Sequence, residues 1–290
     1  MLAAPALAHG SFNAAHMAEW RLAREWGESA IERARETGES SQIARAMNAL
    51  GALHEALAEF SLAEARFREA LTLPDLPPLA RTSITLNLST VLVAQGRYDE
   101  TRAALESARA TIREADDGLN HQQLIHQEAD LKLDEGDAAG ALELYDAALA
   151  EMRIRGLARN VIQTLATERP WALLELGRRE EAIADLREGL HLALEDGLTH
   201  DASLACFGLQ SLGEAVPSIE RPDRTTLVGE RLLLLAEAEA RAADGDLLEA
   251  DAILARRQSV APDAVLHGIV SRRIARLRKR IAGNALGRLL

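Results

Sequence analysis

The feature that most constrains this sequence is a short pattern that recurs along the chain. In each copy a small residue follows a predicted helix end and turn, and in most copies a larger residue stands four positions later. The small residues are Ala30, Ala63, Thr101, Ala141, Ala182 and Ala250, spaced by 33, 38, 40, 41 and 68 residues. The larger residues are Phe67, Leu105, Tyr145, Leu186 and Leu254. Residues four apart share one helix face, so each copy predicts a helix pair with a closely packed contact and a filled core.

The composition excludes the main alternatives to a helical repeat. Ala and Leu, the strongest helix formers, dominate the sequence, and aromatic residues make up only 3%. This composition disfavours a β-rich fold and disorder, and the sequence contains no apolar run of the ~18 residues that a membrane helix needs. A compact helical bundle would show long amphipathic helices without a fixed period, so the near-regular spacing favours a repeat array.

Three of the copies carry a small–large–small triplet: Ala63-Phe67-Ala70, Thr101-Leu105-Ala108 and Ala141-Tyr145-Ala148. This pattern resembles that of the tetratricopeptide repeat (TPR) superfamily. The usual early aromatic of the first helix is missing, and only Pro74 stands near a repeat-closing position. The resemblance implies an all-α, right-handed α-solenoid of antiparallel helix pairs, a TPR-like superhelix. The longer central spacing is similar to the TPR-like sensor regions of large bacterial transcription regulators.

The repeat spacing also predicts the organisation of the chain. Residues 1–10 are expected to form an irregular N-terminal edge, and residues 11–258 the repeat array. Near 197–229 the array is interrupted, with a helix predicted over about 200–213; the 214–229 loop is either a worn repeat or a contact loop beside the groove. Residues 259–290 are expected to form a capping helix and a basic tail, with a buried stripe at Val265, Ile269, Ile274 and Leu277.

The net charge of −12 is unevenly distributed. Residues 271–290 contain seven Arg or Lys and no acidic residue, which leaves 26 basic against 45 acidic residues, or −19, in residues 1–270. Such an acidic body disfavours nucleic acid. The basic run from Arg272 to Arg280 is interpreted first as a helix C-terminus with a solvated face. Docking to the acidic body of another copy, in a homodimer, and contact with nucleic acid or acidic lipid remain as alternatives.

Signatures of enzymes and metal sites are weak. His54-Glu55 begins like the metalloprotease motif HExxH, but Ala58 stands where the second histidine is required. His121 and His126 lie five residues apart and on different helix faces. The single cysteine, Cys206, has the apolar neighbours of a buried residue and, without a disulfide partner, fits a reducing compartment. We therefore expect a cytoplasmic protein that is not an enzyme and has no cofactor, no metal and no membrane segment.

The TPR resemblance implies that the first helix of each pair lines a concave groove. By register, the groove positions are Arg45, Asn48, Ala52, Glu55, Ser83, Leu86, Thr90, Val93, Gln123, His126, Asp130, Leu133, Thr164, Thr167, Trp171 and Leu174. We take Arg45, Asn48, Thr90, Gln123, His126, Asp130, Thr167 and Trp171 as the candidate binding residues. The alternatives are that Asn48 bridges helices, that Trp171 belongs to the core and that His126 is merely solvated.

These features predict a non-enzymatic scaffold that binds a protein or peptide partner in the groove. The family's clamp for a peptide carboxylate pairs Lys, Arg and Asn side chains, and this sequence offers Arg45 and Asn48 without a basic partner in the next copy. A chaperone-type acidic C-terminus is therefore not expected. The alternative function is a ligand- or partner-sensing regulatory domain of a bacterial transcription regulator.

Overall fold

A computed structural model describes residues 3–16, 19–115, 118–217, 227–260 and 268–287, and within these ranges the chain contains helices and no strand. The helices are α1 Ala4–His16, α2 Trp20–Thr37, α3 Ser40–Ala56, α4 Phe60–Leu71, α5 Pro78–Ala94, α6 Tyr98–Ala115, α7 Gly118–Glu135, α8 Ala138–Arg155, α9 Ala158–Gln163, α10 Arg169–Glu175, α11 Arg179–Glu195, α12 Thr199–Ser211, α13 Leu227–Ala243, α14 Leu247–Ser259 and α15 Gly268–Gly287. A π-helical turn, Thr164–Glu168, joins α9 to α10. None of the described helices combines the length and apolar character that crossing a bilayer requires.

The chain divides into two compact units, and the division falls within α7, after Leu131. We call the described residues up to Leu131 the first unit. The second unit comprises the described residues from Lys132 to Pro217, the helices α13 and α14 from Gly229 onward, and α15. In the first unit α3 packs on α4 and α5 on α6, and in the second unit α10 and α12 both pack on α11. Sequential helix pairs are thus the building block of each unit.

The recurring small and large residues pack as the sequence predicts. Ala30, Ala63, Thr101, Ala141, Ala182 and Ala250 are all completely buried, and Phe67, Leu105, Tyr145, Leu186 and Leu254 are buried beside them. Gly51 shows how close the helices approach, since a Cβ at this position would lie 2.5 Å from Cε1 of Phe67. The prediction that small side chains permit close helix contacts is therefore confirmed.

Two predicted boundaries differ from the structure: that of the N-terminal edge and the end of the 214–229 loop. Residues 4–10 are not irregular but belong to α1, where Ala4, Leu7 and Ala8 are buried and α1 packs on α2 and α3. The alanines and leucine of this segment support a helix, and Pro5 is tolerated because it lies in the first turn. The helix predicted over about 200–213 is present as α12, and the following 214–217 segment has no regular secondary structure. Residues 218–226 of the predicted loop lie outside the described residues, and α13 begins at Leu227.

Candidate functional site

In the first unit, polar side chains join the first helices of neighbouring repeats. Asn87 on α5 donates from Nδ2 to Oδ1 of Asn48 on α3, over 2.9 Å. Ser83, on α5, donates from Oγ to Oδ1 of Asn120 on α7, over 3.2 Å. Both contacts are partly buried, and each spans one repeat. Asn48 was predicted to face the groove or to bridge helices, and the structure places it in a bridge.

A second bridge between α5 and α7 involves Thr90 and Gln127. Gln127 donates from Nε2 to Oγ1 of Thr90 over 3.1 Å and accepts from Oγ of Ser89 over 2.5 Å. Thr90 is a predicted site residue, whereas Gln127 was not predicted. We call the pairs Asn48–Asn87, Ser83–Asn120 and Thr90–Gln127 the amide ladder. It places side-chain donors and acceptors along three successive first helices.

An open cavity of about 380 Å³ lies beside this ladder, between the N-terminal halves of α3 and α5. Its lining includes the predicted residues Arg45 and Asn48, together with Ser83 from the ladder and Leu79. Arg45 is exposed, and Leu79 is a half-exposed leucine. The cavity therefore combines one cation, amide and hydroxyl groups and an apolar wall, the combination typical of a peptide-binding surface.

Three predicted groove positions are wrong, and one of them, Thr164 in the second unit, is completely buried. Leu86 is completely buried and belongs to a cluster with Leu105 and Leu124, and Leu133 is also buried. In α5 it is Asn87 that contacts Asn48, one position beyond the predicted Leu86. A shift of one residue turns a side chain by ~100° around the helix, which carries it from the groove into the core.

The remaining predicted residues of the first unit lie on α7. His126 and Asp130 stand one helical turn apart, with Nε2 of His126 3.9 Å from Oδ2 of Asp130. Both side chains are partly exposed, and Gln123 is exposed on the same helix. The structure thus makes His126 and Asp130 neighbours on α7, and Asn120 and Gln127 of the same helix form hydrogen bonds with α5.

At the C-terminal end of α3, a carboxyl group has an unusual proton affinity. Burial raises the pKa of Glu55 to about 7. The neighbouring Glu59 shows the opposite shift: burial opposes ionisation, but hydrogen bonds from His54 and Arg24 outweigh it and lower the pKa of Glu59. His54 Nδ1 lies 2.6 Å from Oε2 of Glu59, so His54 is a partner of Glu59 in this network. Sequence reasoning named Glu55 as a groove position but did not foresee its proton affinity.

In the second unit, the π-helical turn Thr164–Glu168 precedes Pro170. Proline has no N–H to donate and its ring clashes with the preceding turn, so a widened turn relieves the strain. The predicted site residue Thr167 lies in this turn and donates from Oγ1 to the carbonyl of Gln163 over 2.7 Å. Gly189 of α11 faces the turn, where an added Cβ would lie 2.8 Å from the backbone nitrogen of Ala166.

The predicted Trp171, on α10, is covered by the chain's own C-terminal helix. The guanidinium carbon of Arg273, on α15, lies 3.5 Å from the centre of the Trp171 ring. The same guanidinium donates to both carboxylate oxygens of Glu239 on α13, over 3.0 and 2.6 Å. The side chains of Arg273 and Glu239 are only 7% and 15% exposed. A cation–π contact with Trp171 and a bidentate salt bridge with Glu239 therefore hold Arg273 in a nearly buried position.

Two further arginines of α15 bind the same face. Arg276 forms a 2.8 Å ion pair with Glu175 at the end of α10. Arg272 donates to the backbone carbonyls of Leu133 and Asp134 over 2.6 and 2.8 Å, in the last turn of α7. The carbonyls in the last turn of a helix carry partial negative charge, which favours a cation there.

The interpretation of the basic run as a solvated face is therefore wrong for part of it. Arg272, Arg273 and Arg276 contact acidic, aromatic or carbonyl groups of the same chain, although the side chain of Arg276 is still 57% exposed. Arg278, Lys279 and Arg280 are exposed. The predicted apolar stripe is present at Ile274 and Leu277, which pack on the core of α13 and α14. Val265 and the side chain of Ile269 lie outside the described residues. Sequence reasoning missed Glu175 and Glu239, for which the only signal was the opposite charge of the basic run.

Solved structures with a similar helical fold include two Rap proteins and an aspartyl phosphate phosphatase. The Rap conjugation gene regulator of plasmid pLS20, in complex with the Phr* peptide, superposes with a TM-score of 0.73 at 15% identity, over 88% of this chain and 72% of that one. Aspartyl phosphate phosphatase F from Bacillus subtilis gives 0.64 at 9% identity, over 87% and 68%. A Rap protein complexed with competence and sporulation factor gives 0.63 at 14% identity, over 91% and 71%.

The chain has a TPR-like helical repeat fold. The likeness to the Rap structures confirms the all-α, α-solenoid class that the sequence pattern predicts. At 9–15% identity this likeness establishes the fold alone. No protein-family profile and no curated protein matches the sequence.

Proposed function

We propose that this chain is a peptide- or protein-binding scaffold that acts in the cytoplasm by recognition rather than by catalysis. The observation that carries the proposal is the amide ladder on α3, α5 and α7 with its adjoining cavity of about 380 Å³. Two of the similar structures are complexes, one with the Phr* peptide and one with competence and sporulation factor, which supports the same role here.

The chemistry of the ladder suits an extended peptide. A side-chain amide offers two donor hydrogens and an acceptor oxygen, and the bond between Asn48 and Asn87 uses one group on each residue. The remaining groups match the alternating N–H and C=O of a peptide backbone. Arg45 and Leu79 at the cavity add a cation and an apolar wall, through which side chains of the bound peptide would be selected.

Peptide selection tests the proposal directly. A phage-displayed library of random decapeptides is selected on the wild-type chain, and binding of the enriched clones is compared with that of Asn48→Ala/Asn87→Ala. We expect the double variant to lose about ten-fold or more in affinity, since peptide hydrogen bonds are removed at two points. Glu106→Ala, an exposed position on the second helix α6, serves as the matched control and should bind like the wild type. Equal binding by all three chains would refute the ladder as the binding face.

A phosphatase is named among the similar structures, so the absence of catalysis is tested separately. Acetyl phosphate, a small acyl phosphate, is incubated with the purified chain and the release of inorganic phosphate is followed. Binding without catalysis predicts release at the rate of the buffer blank. A protein-dependent rate that survives repurification would overturn this part of the proposal.

A further inference from the structure

The C-terminal helix α15 covers the first-helix face of the second unit in the manner of a bound ligand. Three of its arginines end on this face: Arg273 between Trp171 and Glu239, Arg276 on Glu175, and Arg272 on the α7 carbonyls. Arg272 reaches α7, Arg276 reaches α10, and Arg273 joins α10 to α13. Guanidinium groups thus contact this face at three positions.

The spacing of these arginines defines the recognised pattern. Arg272 and Arg273 precede Arg276 by four and three positions, so the three lie on one side of the helix. Each arginine meets a different set of groups on the face. Arg273 contacts an aromatic ring and a carboxylate, Arg276 contacts a second carboxylate, and Arg272 contacts carbonyls at a helix C-terminus. Planar, two-pronged arginine fits the Glu239 carboxylate better than lysine does, because both oxygens are engaged at once.

The packing of α15 differs from that of a core helix. Leu277 is buried on α13 and α14, and Ile274 is partly buried there, so one side of α15 is anchored by apolar contact. On the side facing α10 and α12, an open cavity of about 260 Å³ remains, lined by Trp171, Leu174, Leu212 and Leu277 among others. The contacts that α15 makes across this side include Arg273 over the Trp171 ring and Arg276 on Glu175.

We propose that α15 is an internal ligand, and that the face beneath it is a binding site for a partner protein's amphipathic helix carrying the pattern Arg-x-x-Arg. The partner helix binds by displacing α15, and its arginines take the places of Arg273 and Arg276. This inference rests on the proposed function, because it adds the class of partner and its regulation to a polypeptide-binding scaffold. The negative charge of the face selects a basic helix and disfavours an acidic one.

The test uses a fluorescein-labelled peptide of residues 268–287 as the probe and the full chain as the receptor. In the wild type the tethered α15 competes at a high effective concentration, so the probe binds weakly. The variant Arg273→Ala/Arg276→Ala weakens the tethered helix and should bind the probe about ten-fold more tightly. Arg278→Ala/Lys279→Ala removes the same charge from exposed positions and should bind no better than the wild type.

The same assay tests the chemistry of the face. Adding Trp171→Ala/Glu239→Gln to the released variant should abolish the gain, and a probe carrying Arg273→Ala/Arg276→Ala should not bind. The proposal is overturned if the released variant gains no affinity, or if the exposed-charge control gains as much. It is also overturned if the wild type forms a concentration-dependent dimer that the release variant loses, because α15 would then occupy a second copy.

A covalent lock keeps the test informative if the release variant does not fold. In Glu175→Cys/Arg276→Cys, a bis-maleimide joins α15 to α10, and the locked chain should bind the probe less well than the same chain before cross-linking. Equal binding before and after cross-linking would contradict displacement. Failure here leaves the ladder experiment on Asn48 and Asn87 unaffected, so the two proposals fail independently.

Discussion

Ala58 is held in a backbone conformation that glycine adopts more easily. It closes the turn after α3 with φ 58°, whereas the corresponding turns after α5 and α7 use Gly96 and Gly136 with φ 73° and 93°. The left-handed conformation costs a residue with a Cβ about 1–2 kcal/mol, and part of this is offset by the lower entropy of the unfolded alanine chain. Ala58→Gly should therefore raise the free energy of unfolding by about 0.5–1 kcal/mol in urea titrations.

The reciprocal substitution is the control for this prediction. Gly136 has open space around its missing Cβ, so Gly136→Ala isolates the backbone cost without a steric clash. It should lower the free energy of unfolding by about 1 kcal/mol. A loss of stability in Ala58→Gly, or a gain in Gly136→Ala, would show that the turn conformation is not the source of strain.

Glu55 should make the stability of the first unit depend on pH. The pKa of its carboxyl is about 7 in the fold, against 4.5 in the unfolded chain. As the pH rises from 4.5 to 7, the unfolded state releases this proton first, so the fold loses stability across this window and no further above it. The loss attributable to Glu55 is on the order of 3 kcal/mol.

The variant Glu55→Gln isolates this contribution. It removes the ionisable group while keeping a side chain of the same size, and the fall in unfolding free energy between pH 5 and pH 8 should shrink accordingly. Chemical denaturation at both pH values measures it. Identical pH dependence in the wild type and in Glu55→Gln would mean that the carboxyl is not desolvated in solution.

At the scale of elements, the close approach of α11 to the π-helical turn depends on Gly189. An added Cβ would lie 2.8 Å from the backbone nitrogen of Ala166, and backbone cannot move aside as a side chain can. Gly189→Ala should lower the free energy of unfolding by about 2 kcal/mol, despite alanine's better helix propensity. Gly208→Ala, whose Cβ would meet only the Leu186 side chain at 3.1 Å, should be close to neutral. Equal effects of the two substitutions in thermal melts would argue against a backbone clash.

Most of the helices could be predicted from the sequence, because the same residue pattern recurs in each repeat. The small residues such as Ala63 and Ala141 predict the helix contacts, and the glycines at turns such as Gly96 predict the helix ends. The register of the groove residues was harder to predict, because the repeat spacings are unequal and leave the register uncertain by one residue. This error placed Leu86 in the groove, whereas the structure places Asn87 in contact with Asn48. The π-helical turn follows from Pro170, but proline inside a helix is equally compatible with a kink or a helix end.

At the scale of the whole molecule, the sequence predicted the separation of basic and acidic residues but not which acidic residues the basic run contacts. Counting residues shows a basic C-terminus and an acidic remainder, and both remain correct. Which carboxylates meet the basic run cannot be read from a count, since Glu175 and Glu239 are distant from it in sequence and unremarkable within their helices. The structure pairs them with Arg276 and Arg273, so the first partner of the basic run is the chain itself.

The ionic attachment of α15 leads to a prediction about salt. Mobile ions screen an exposed charge pair strongly, and the side chain of Arg276, paired with Glu175, is 57% exposed; the buried pair Arg273–Glu239 is screened less. Raising NaCl from about 0.05 to 1 M should therefore speed amide hydrogen exchange over residues 268–287 by about three- to ten-fold. Exchange over α4, whose Phe67 and Ala70 are fully buried, should stay constant and serves as the internal control.

The variants used for release extend the salt experiment. In Arg273→Ala/Arg276→Ala, exchange over α15 should already be fast at low salt and should respond little to added NaCl, because the paired charges are gone. Arg278→Ala/Lys279→Ala should retain the wild-type response. If exchange over residues 268–287 is equally slow at both salt concentrations in the wild type, apolar contacts through Ile274 and Leu277 alone hold α15, and a basic partner helix would gain no advantage from its arginines.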